Sequence, residues 1–396
     1  MLSVRQVFAG AAMSGTAVSG KKQIKVLFVA GARPNFMKIA PLLREFNARA
    51  TFETFLVHTG QHYDARMSDN FFRDLGIPAP DINLGVGSGS HGEQTAHVLM
   101  KVEAVLQDEK PDMVLVVGDV NSTLAATIAA VKLHIPVAHV EAGLRSGDRN
   151  MPEELNRLMT DVVATWLFTT EADGKDNLLR EGVDPSKIHF VGNVMIDTLV
   201  ANLARAKELD TLSQLGLTKD GFCLLTLHRP SNVDDPEKLA DLFNALEQIN
   251  DRVPIVFPVH PRTATKIRES LGGRDLKLQV IEPQDYLDFL SLMSEAKLVL
   301  TDSGGVQEET TALGTPCFTL RESTERPITV THGTNTMVGT DGAVVLREVT
   351  KALDGKPKTG RIPDLWDGRA AARIADVLEA DLLGADVTSD KAGGQA

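Results

Sequence analysis

Asp119 and Glu141 stand where apolar runs give out, and Glu153 stands where a helix begins; these are the residues best placed to move protons in this chain. Val114-Leu-Val-Val117 leads into Gly118-Asp119, Val137-Ala-His-Val140 leads into Glu141-Ala-Gly-Leu-Arg145, and Met151-Pro-Glu-Glu-Leu-Asn-Arg157 opens a helix. In an open parallel sheet, the carboxyl ends of the strands border the crevice where ligands bind. Carboxylates gathered there, with Arg145 and Arg157 nearby, suit acid and base work on a bound molecule. Pro152 fits the first position of its helix. Leu155, Leu158, Met159 and Val162 form the stripe expected to face the core, with Glu153 and Arg157, four apart, on the opposite face and able to pair. A solvated pair of that kind contributes little; the strand-end carboxylates just before it are what give it interest.

Thr301-Asp-Ser-Gly-Gly-Val-Gln-Glu-Glu309 has the composition of a phosphate grip. Ser303, Gly304 and Gly305 fall between a strand and a helix, where glycines let backbone N–H groups approach an anion and the helix dipole favours it. Glu309, one turn further, can accept from a vicinal diol such as a ribose. Gly31-Ala-Arg-Pro-Asn-Phe-Met-Lys38 ends the first strand and puts Arg33 and Lys38 near a helix start, unfavourable against the dipole unless an anion such as a diphosphate compensates. His228 and His260 each end a strand, at equivalent edges of one sheet, and suit phosphate contact or proton transfer; His62, His139 and His332 are weaker candidates. No Gly-x-Gly-x-x-Gly fingerprint follows a clean strand, so nicotinamide binding is not supported. Neither HExxH nor a carboxylate cluster with metal-ligand spacing occurs, and no metal requirement is indicated.

The elements that must position these groups repeat as strand, polar junction and helix. Short, near-continuous apolar strands alternating with helices indicate a parallel sheet covered on both faces. The pattern restarts after residue 220, with strands ending at His228, His260, Thr301 and Arg321. The expected architecture is therefore α/β, with two Rossmann-like domains facing each other across a cleft. The expected division is a flexible extension over 1–22, a first domain over 23–200 carrying the carboxylates, a second domain over 201–366 binding the nucleotide, a helix over 367–385 packing back on the first domain, and a disordered tail over 386–396.

A chain of 396 residues suits two domains of moderate size. The net charge of −12 argues against a nucleic-acid footprint, so an anionic ligand needs a local cationic pocket. Cys223 and Cys317 lie inside apolar runs and read as buried thiols of a reducing compartment. No apolar run approaches the length of a bilayer span. The expected location is the cytoplasm, without membrane association.

Together the motifs resemble the non-hydrolysing UDP-N-acetylglucosamine 2-epimerases, whose fold is the two-domain GT-B type. The resemblance rests on Gly31-x-Arg-Pro with Lys38 and Pro41, Thr59-Gly-Gln-His62, Gly118-Asp119, His139-Val-Glu-Ala-Gly-Leu-Arg145, Pro152-Glu-Glu-x-Asn-Arg157, Gly192-Asn193 with Asp197, His228-Arg229, Pro258-Val-His260, Asp302-Ser-Gly-Gly-x-Gln-Glu-Glu309 and Thr324-Glu-Arg-Pro327. It implies a cofactor-free inversion at C2 that interconverts UDP-GlcNAc and UDP-ManNAc for cell-surface polysaccharide precursors. UDP is eliminated to leave a 2-acetamidoglucal, and re-adds as a proton returns from the other face. Asp119, Glu141 and Glu153 match the family's catalytic carboxylates, with base and acid unassigned, and His228 its catalytic or diphosphate-contacting histidine. Arg33, Lys38, Ser303, Gly304, Gly305 and Glu309 match UDP-binding positions, Arg157 partners the acidic helix, and Arg145, His260 and Arg326 join the expected substrate contacts. A homodimer is implied by the resemblance alone.

The chain departs from better-known bacterial members at Pro230-Ser231-Asn232, at Ile328 after Arg326-Pro327, and in the loop Gly87-Ser-Gly-Ser-His91. Those departures bear on allosteric activation and on the identity of the sugar. The alternatives are a 2-epimerase of a related sugar such as UDP-2,3-diacetamido-2,3-dideoxyglucuronate, a hydrolysing epimerase, a GT-B glycosyltransferase, or a non-catalytic UDP-sugar sensor.

Overall fold

The computed structural model describes residues 23–61 and 72–392; the N-terminal extension and His62 lie outside the described residues. Seven parallel strands form the first sheet: β1 (Ile24–Ala30), β2 (Phe52–His58), β3 (Ile82–Asn83), β4 (Met113–Val117), β5 (Val137–Val140), β6 (Trp166–Thr169) and β7 (Ile188–Phe190), in the order β3-β2-β1-β4-β5-β6-β7. Six more form the second: β8 (Cys223–Thr226), β9 (Ile255–Pro258), β10 (Gln279–Ile281), β11 (Leu298–Thr301), β12 (Cys317–Thr319) and β13 (Asn335–Met337), in the order β10-β9-β8-β11-β12-β13. Every residue of β4 is buried, as expected of a strand covered on both faces by helices. The order reverses between β1 and β4 and again between β8 and β11, the switch points where open α/β sheets bind ligands.

The chain crosses between the sheets through the helix Val194–Lys207 and returns through its final helix, Ala370–Ala392. The sequence predicts that this helix ends at residue 385 before a disordered tail; in the structure it continues to Ala392. Asp197 caps its start, accepting from the backbone N–H groups of Ala370 at 3.0 Å and Ala371 at 2.7 Å. Arg49 pairs with Asp376 at 2.7 Å and Glu379 at 3.0 Å, and the Trp166 indole donates to Asp381 at 2.8 Å, so the last helix is tied to the first domain. Among the described residues no helix is long and apolar enough to cross a membrane.

One expectation is reversed. The helix Pro152–Val163 buries Glu154, Asn156, Arg157, Thr160 and Asp161, whereas Leu155 is 40%, Met159 46% and Val162 72% exposed. Polarity does not decide which face turns inward here. The helix lies over the charged ends of β4 and β5, and its polar side chains satisfy groups there that an apolar stripe would leave unpaired.

Candidate active site

β4 and β5 pair with Val117 opposite Val140, so Asp119 and Glu141 leave neighbouring strands side by side. Gly118 makes that exit at φ +65°, and a Cβ there would lie 2.9 Å from Lys38 Nζ. Glu141 itself adopts φ +77°, a conformation rarely held by a residue with a side chain. Its N–H and that of Ala142 both donate to the Phe168 carbonyl at 3.0 Å and hold the turn in place. The Glu141 carboxylate is thereby brought against two cations, Lys38 and Arg326, and is 3% exposed. Burial works to raise its pKa, but the Lys38 and Arg326 charges outweigh burial and hold it below the ordinary carboxylate range. The anion that compensates Lys38 near its helix start is thus Glu141.

Arg326 belongs to the second domain and bridges both, donating through Nη2 to Glu141 and through Nε to Glu308 at 2.7 Å. Glu308 also accepts from the Asn193 amide at 3.0 Å, at the start of the crossing helix. Among the described residues, Arg326 Nη1 is buried without a hydrogen-bond partner.

The pairing expected between Glu153 and Arg157 does not form. Arg157, 2% exposed, donates to Asp119 at 2.5 Å and to Glu154 at 2.7 Å. Its neighbour Glu154 also accepts from the N–H groups of Ser146 at 2.9 Å and Gly147 at 3.0 Å. Arg157 points into the protein with the buried polar face, and only Glu154, three residues back, shares that face. Glu153 is left beside the cleft.

A second buried cluster joins the parts that carry the three carboxylates. His139, fully buried on β5, places Nδ1 2.6 Å from Asp161 and Nε2 2.8 Å from the Gly118 carbonyl. Both partners, the Asp161 carboxylate and the Gly118 carbonyl, are acceptors. Asp161, on the helix that carries Glu153, also accepts from the Gly143 N–H at 3.0 Å and from Arg145 at 2.8 Å. The turns that present Asp119 and Glu141 are therefore tied to one helix.

In the second domain, Ser303 stands at the N-terminal cap position of the helix Gly304–Leu313 without a side-chain cap hydrogen bond, and Gly304 and Gly305 at the helix start border the cleft. Glu309 is buried and accepts from the Tyr286 hydroxyl at 3.0 Å. Burial pushes its pKa up to about 8 against the Tyr286 hydrogen bond. His228 follows β8 and lies near Asp302.

A cleft of about 520 Å³ lies between the domains, within the range of small-molecule sites. From the first domain, Lys38, Asp119, Glu153 and Arg157 line it; from the second, His228, Ser303, Gly304, Gly305, Glu309 and Arg326. Glu141 lies behind Lys38 and Arg326. Arg33 is the first residue of the helix Arg33–Asn47, and its neighbour Pro34 borders the cleft. Two expected contacts are not brought in. Arg145 turns away to Asp161 and to Glu181 at 2.6 Å, and His260 is exposed at the end of β9 without bordering this space.

Asp302 and Glu308 stand in the Asp-Ser-Gly-Gly motif without a role assigned from sequence, and Glu171 and Tyr286 are site residues not singled out from sequence. Glu171 follows β6 as Glu141 follows β5, so the strand-end rule that found Asp119 and Glu141 also points to it. It is 1% exposed with one oxygen unpartnered among the described residues, and burial lifts its pKa to about 8 despite the opposing Arg326 charge.

A family model described as UDP-N-acetylglucosamine 2-epimerase matches residues 44–379. The chain belongs to this family. The UDP-N-acetylglucosamine 2-epimerase of Methanocaldococcus jannaschii is 42% identical over 364 residues, covering 90% of this chain and 99% of that one. The UDP-2,3-diacetamido-2,3-dideoxy-D-glucuronate 2-epimerase of Pseudomonas aeruginosa is 45% identical over 359 residues, with the same coverage of 90% and 99%. A crystal structure of the Methanocaldococcus jannaschii UDP-GlcNAc 2-epimerase in complex with UDP-GlcNAc and UDP aligns with a TM-score of 0.82 and 41% identity, over 90% of this chain and 99% of that one. Membership in the epimerase family makes the chain an isomerase with the GT-B arrangement of two facing Rossmann-like domains.

Proposed function

We propose that this epimerase interconverts UDP-GlcNAc and UDP-ManNAc by eliminating UDP and adding it back. The C1–O electron pair leaves with the β-phosphate, the C2–H pair becomes the C1=C2 bond, and the proton passes to a carboxylate. Re-addition from a proton on the other face inverts C2, and the cycle is redox-neutral. The observation that carries this reading is a single cleft bordered by Asp119 and Glu153 from one domain and by Ser303, Gly304, Gly305 and Glu309 from the other. The helix start and Arg326 suit the diphosphate, and Glu309 suits the ribose. The carboxylates of the first domain supply base and acid.

A second reading, epimerisation of a diacetamido-uronate, is favoured by the 45% identity to the Pseudomonas aeruginosa enzyme. Incubation with UDP-GlcNAc in D2O, followed by NMR, separates the possibilities. Deuterium at C2 together with UDP-ManNAc is the expected result. Free ManNAc with UDP indicates hydrolysis, and transfer of GlcNAc to an acceptor without C2 exchange indicates a glycosyltransferase. Exchange on the diacetamido-uronate alone supports the second reading, and UDP-sugar binding with no turnover of either sugar points to a sensor.

The reading includes a homodimer working in the cytoplasm. Leu155, Met159, Val162 and Val163 make an exposed apolar face on one helix, and a second copy of the chain is the proposed cover. Val162→Asp should shift the sedimenting species from dimer to monomer; a wild-type protein that sediments as a monomer sinks this part.

A further inference from the structure

His228 borders the cleft with its side chain 62% exposed, and Asp302 lies beside it on the neighbouring strand end. β8 and β11 pair with Thr226 opposite Thr301, and the two hydroxyls meet at 2.6 Å. One residue on, the Asp302 side chain is fully buried. Its Oδ2 accepts from the N–H groups of His228 at 2.9 Å and Arg229 at 2.8 Å, and from the Asn232 amide at 3.2 Å. Its Oδ1 stands 2.8 Å from His228 Nδ1 and, among the described residues, has no hydrogen-bond partner. That approach is not aligned as a hydrogen bond, and a small rotation of the exposed ring completes it, as is common for catalytic pairs before substrate binds. Burial works to raise the Asp302 pKa, and the His228 contact together with the backbone donors outweighs it, so the carboxylate stays charged.

We propose that Asp302 is a positioning residue for the epimerisation: its carboxylate takes the Nδ1 proton of His228 as a hydrogen bond and thereby turns Nε2 toward the departing diphosphate. This rests on the reading of the cleft given above. As the C1–O bond breaks, its electron pair passes to the β-phosphate oxygen, where negative charge develops. A proton on His228 Nε2 stabilises that oxygen by hydrogen bonding, and the Asp302 charge stabilises the ring that carries it. When UDP re-adds, the same contact is released. Asp302 directly precedes Ser303, Gly304 and Gly305, so one turn sets the direction of the histidine and of the backbone donors.

An aspartate that merely ties down a loop would show the same backbone bonds, and Asp302→Asn separates the roles. The amide oxygen still accepts from His228 and Arg229, while the amide NH2 now faces Nδ1, so the ring loses the charged acceptor that supports a proton on both nitrogens. With C2 deuterium exchange as the assay, kcat should fall about a hundredfold or more while KM and UDP affinity stay within a few-fold. In a His228→Gln background the same substitution should cost less than about threefold, because the two residues act as a unit. Equal losses in both backgrounds overturn the proposal. Nitrogen-15 NMR of the histidines reads the claim without turnover and without a variant: the wild-type protein with UDP bound should carry His228 protons on both Nδ1 and Nε2. A resonance showing an unprotonated Nδ1 overturns the proposal even where C2 exchange is normal. Absence of exchange in wild type, with Nδ1 protonated, counts against the substrate reading alone.

Discussion

Arg326, from the second domain, is buried against Glu141, from the first, and the same guanidinium is shared with Glu308. Lys38 closes the other side of Glu141. Two cations suited to a diphosphate therefore cover one of the carboxylates suited to proton transfer. A diphosphate that draws them away would uncover Glu141 and raise its basicity, which joins nucleotide binding to the chemistry.

Removing Arg326 should destabilise the protein strongly, because Glu141 and Glu308 lose a shared buried partner. Arg326→Met is expected to lower unfolding free energy by about 3–5 kcal/mol, and Glu141→Gln in the same chain should return part of it. Urea denaturation checks this; a double variant whose loss equals the sum of the single losses would show that the two residues are not coupled.

Gly118→Ala tests how closely the strand exit is fitted around Lys38. The added methyl group meets the ammonium at 2.9 Å and forces a side chain into φ +65°. We expect a loss of about 1–2 kcal/mol from the backbone alone, with weakened UDP binding as Lys38 shifts. Gly92→Ala, in the helix His91–Glu109 with open space at its Cβ, is the control and should match wild type in UDP binding and be at least as stable.

Glu171 and Glu309 make the ligand-free protein sensitive to alkali. Each has an ordinary pKa of 4.5 and is raised to about 8 by burial, so the unfolded chain releases these protons first. Their stabilisation is fully present below pH 4.5 and is lost as pH rises through 8, at up to about 1.4 kcal/mol per pH unit for each group. Thermal unfolding between those limits should be less steep in pH for Glu171→Gln than for wild type. Parallel curves would mean that Glu171 ionises alike in both states.

The cluster of His139 and Asp161 should matter more to turnover than to nucleotide binding. Asp161→Asn leaves His139 and Arg145 without their shared charge and should cost about 3 kcal/mol or more of stability. Because it loosens the turns of Asp119 and Glu141, kcat should fall at least tenfold while UDP affinity, set largely in the other domain, changes little. A loss confined to UDP affinity would contradict this role.

The central strands were legible from sequence because β1, β4, β5, β8 and β11 are buried on both faces and written as apolar runs. The edge strands β3, β7, β10 and β13, of two or three residues each, carry no such run and emerge only through pairing. Strand ends marked Asp119, Glu141, His228 and Ser303 because topology alone brings them to the carboxyl edges of the two sheets. Periodicity failed on the helix Pro152–Val163, where buried charges at the strand ends attract a polar face and leave the apolar one outward. The links from Arg157 to Asp119, from Asp161 to His139 and from Arg326 to Glu141 join residues 22 to 185 positions apart, and no local spacing reports them.

The most direct test compares wild type with Glu141→Gln for deuterium uptake at C2 of UDP-GlcNAc and for UDP affinity. Wild type should exchange and form UDP-ManNAc. The variant should lose at least about a hundredfold in exchange, as expected when a positioned proton-transfer group is removed. It should bind UDP as tightly as wild type or more tightly, since Lys38 and Arg326 are released to the diphosphate. A variant that exchanges like wild type, or loses UDP binding in step with exchange, would contradict a proton-transfer role for Glu141 beneath those two cations.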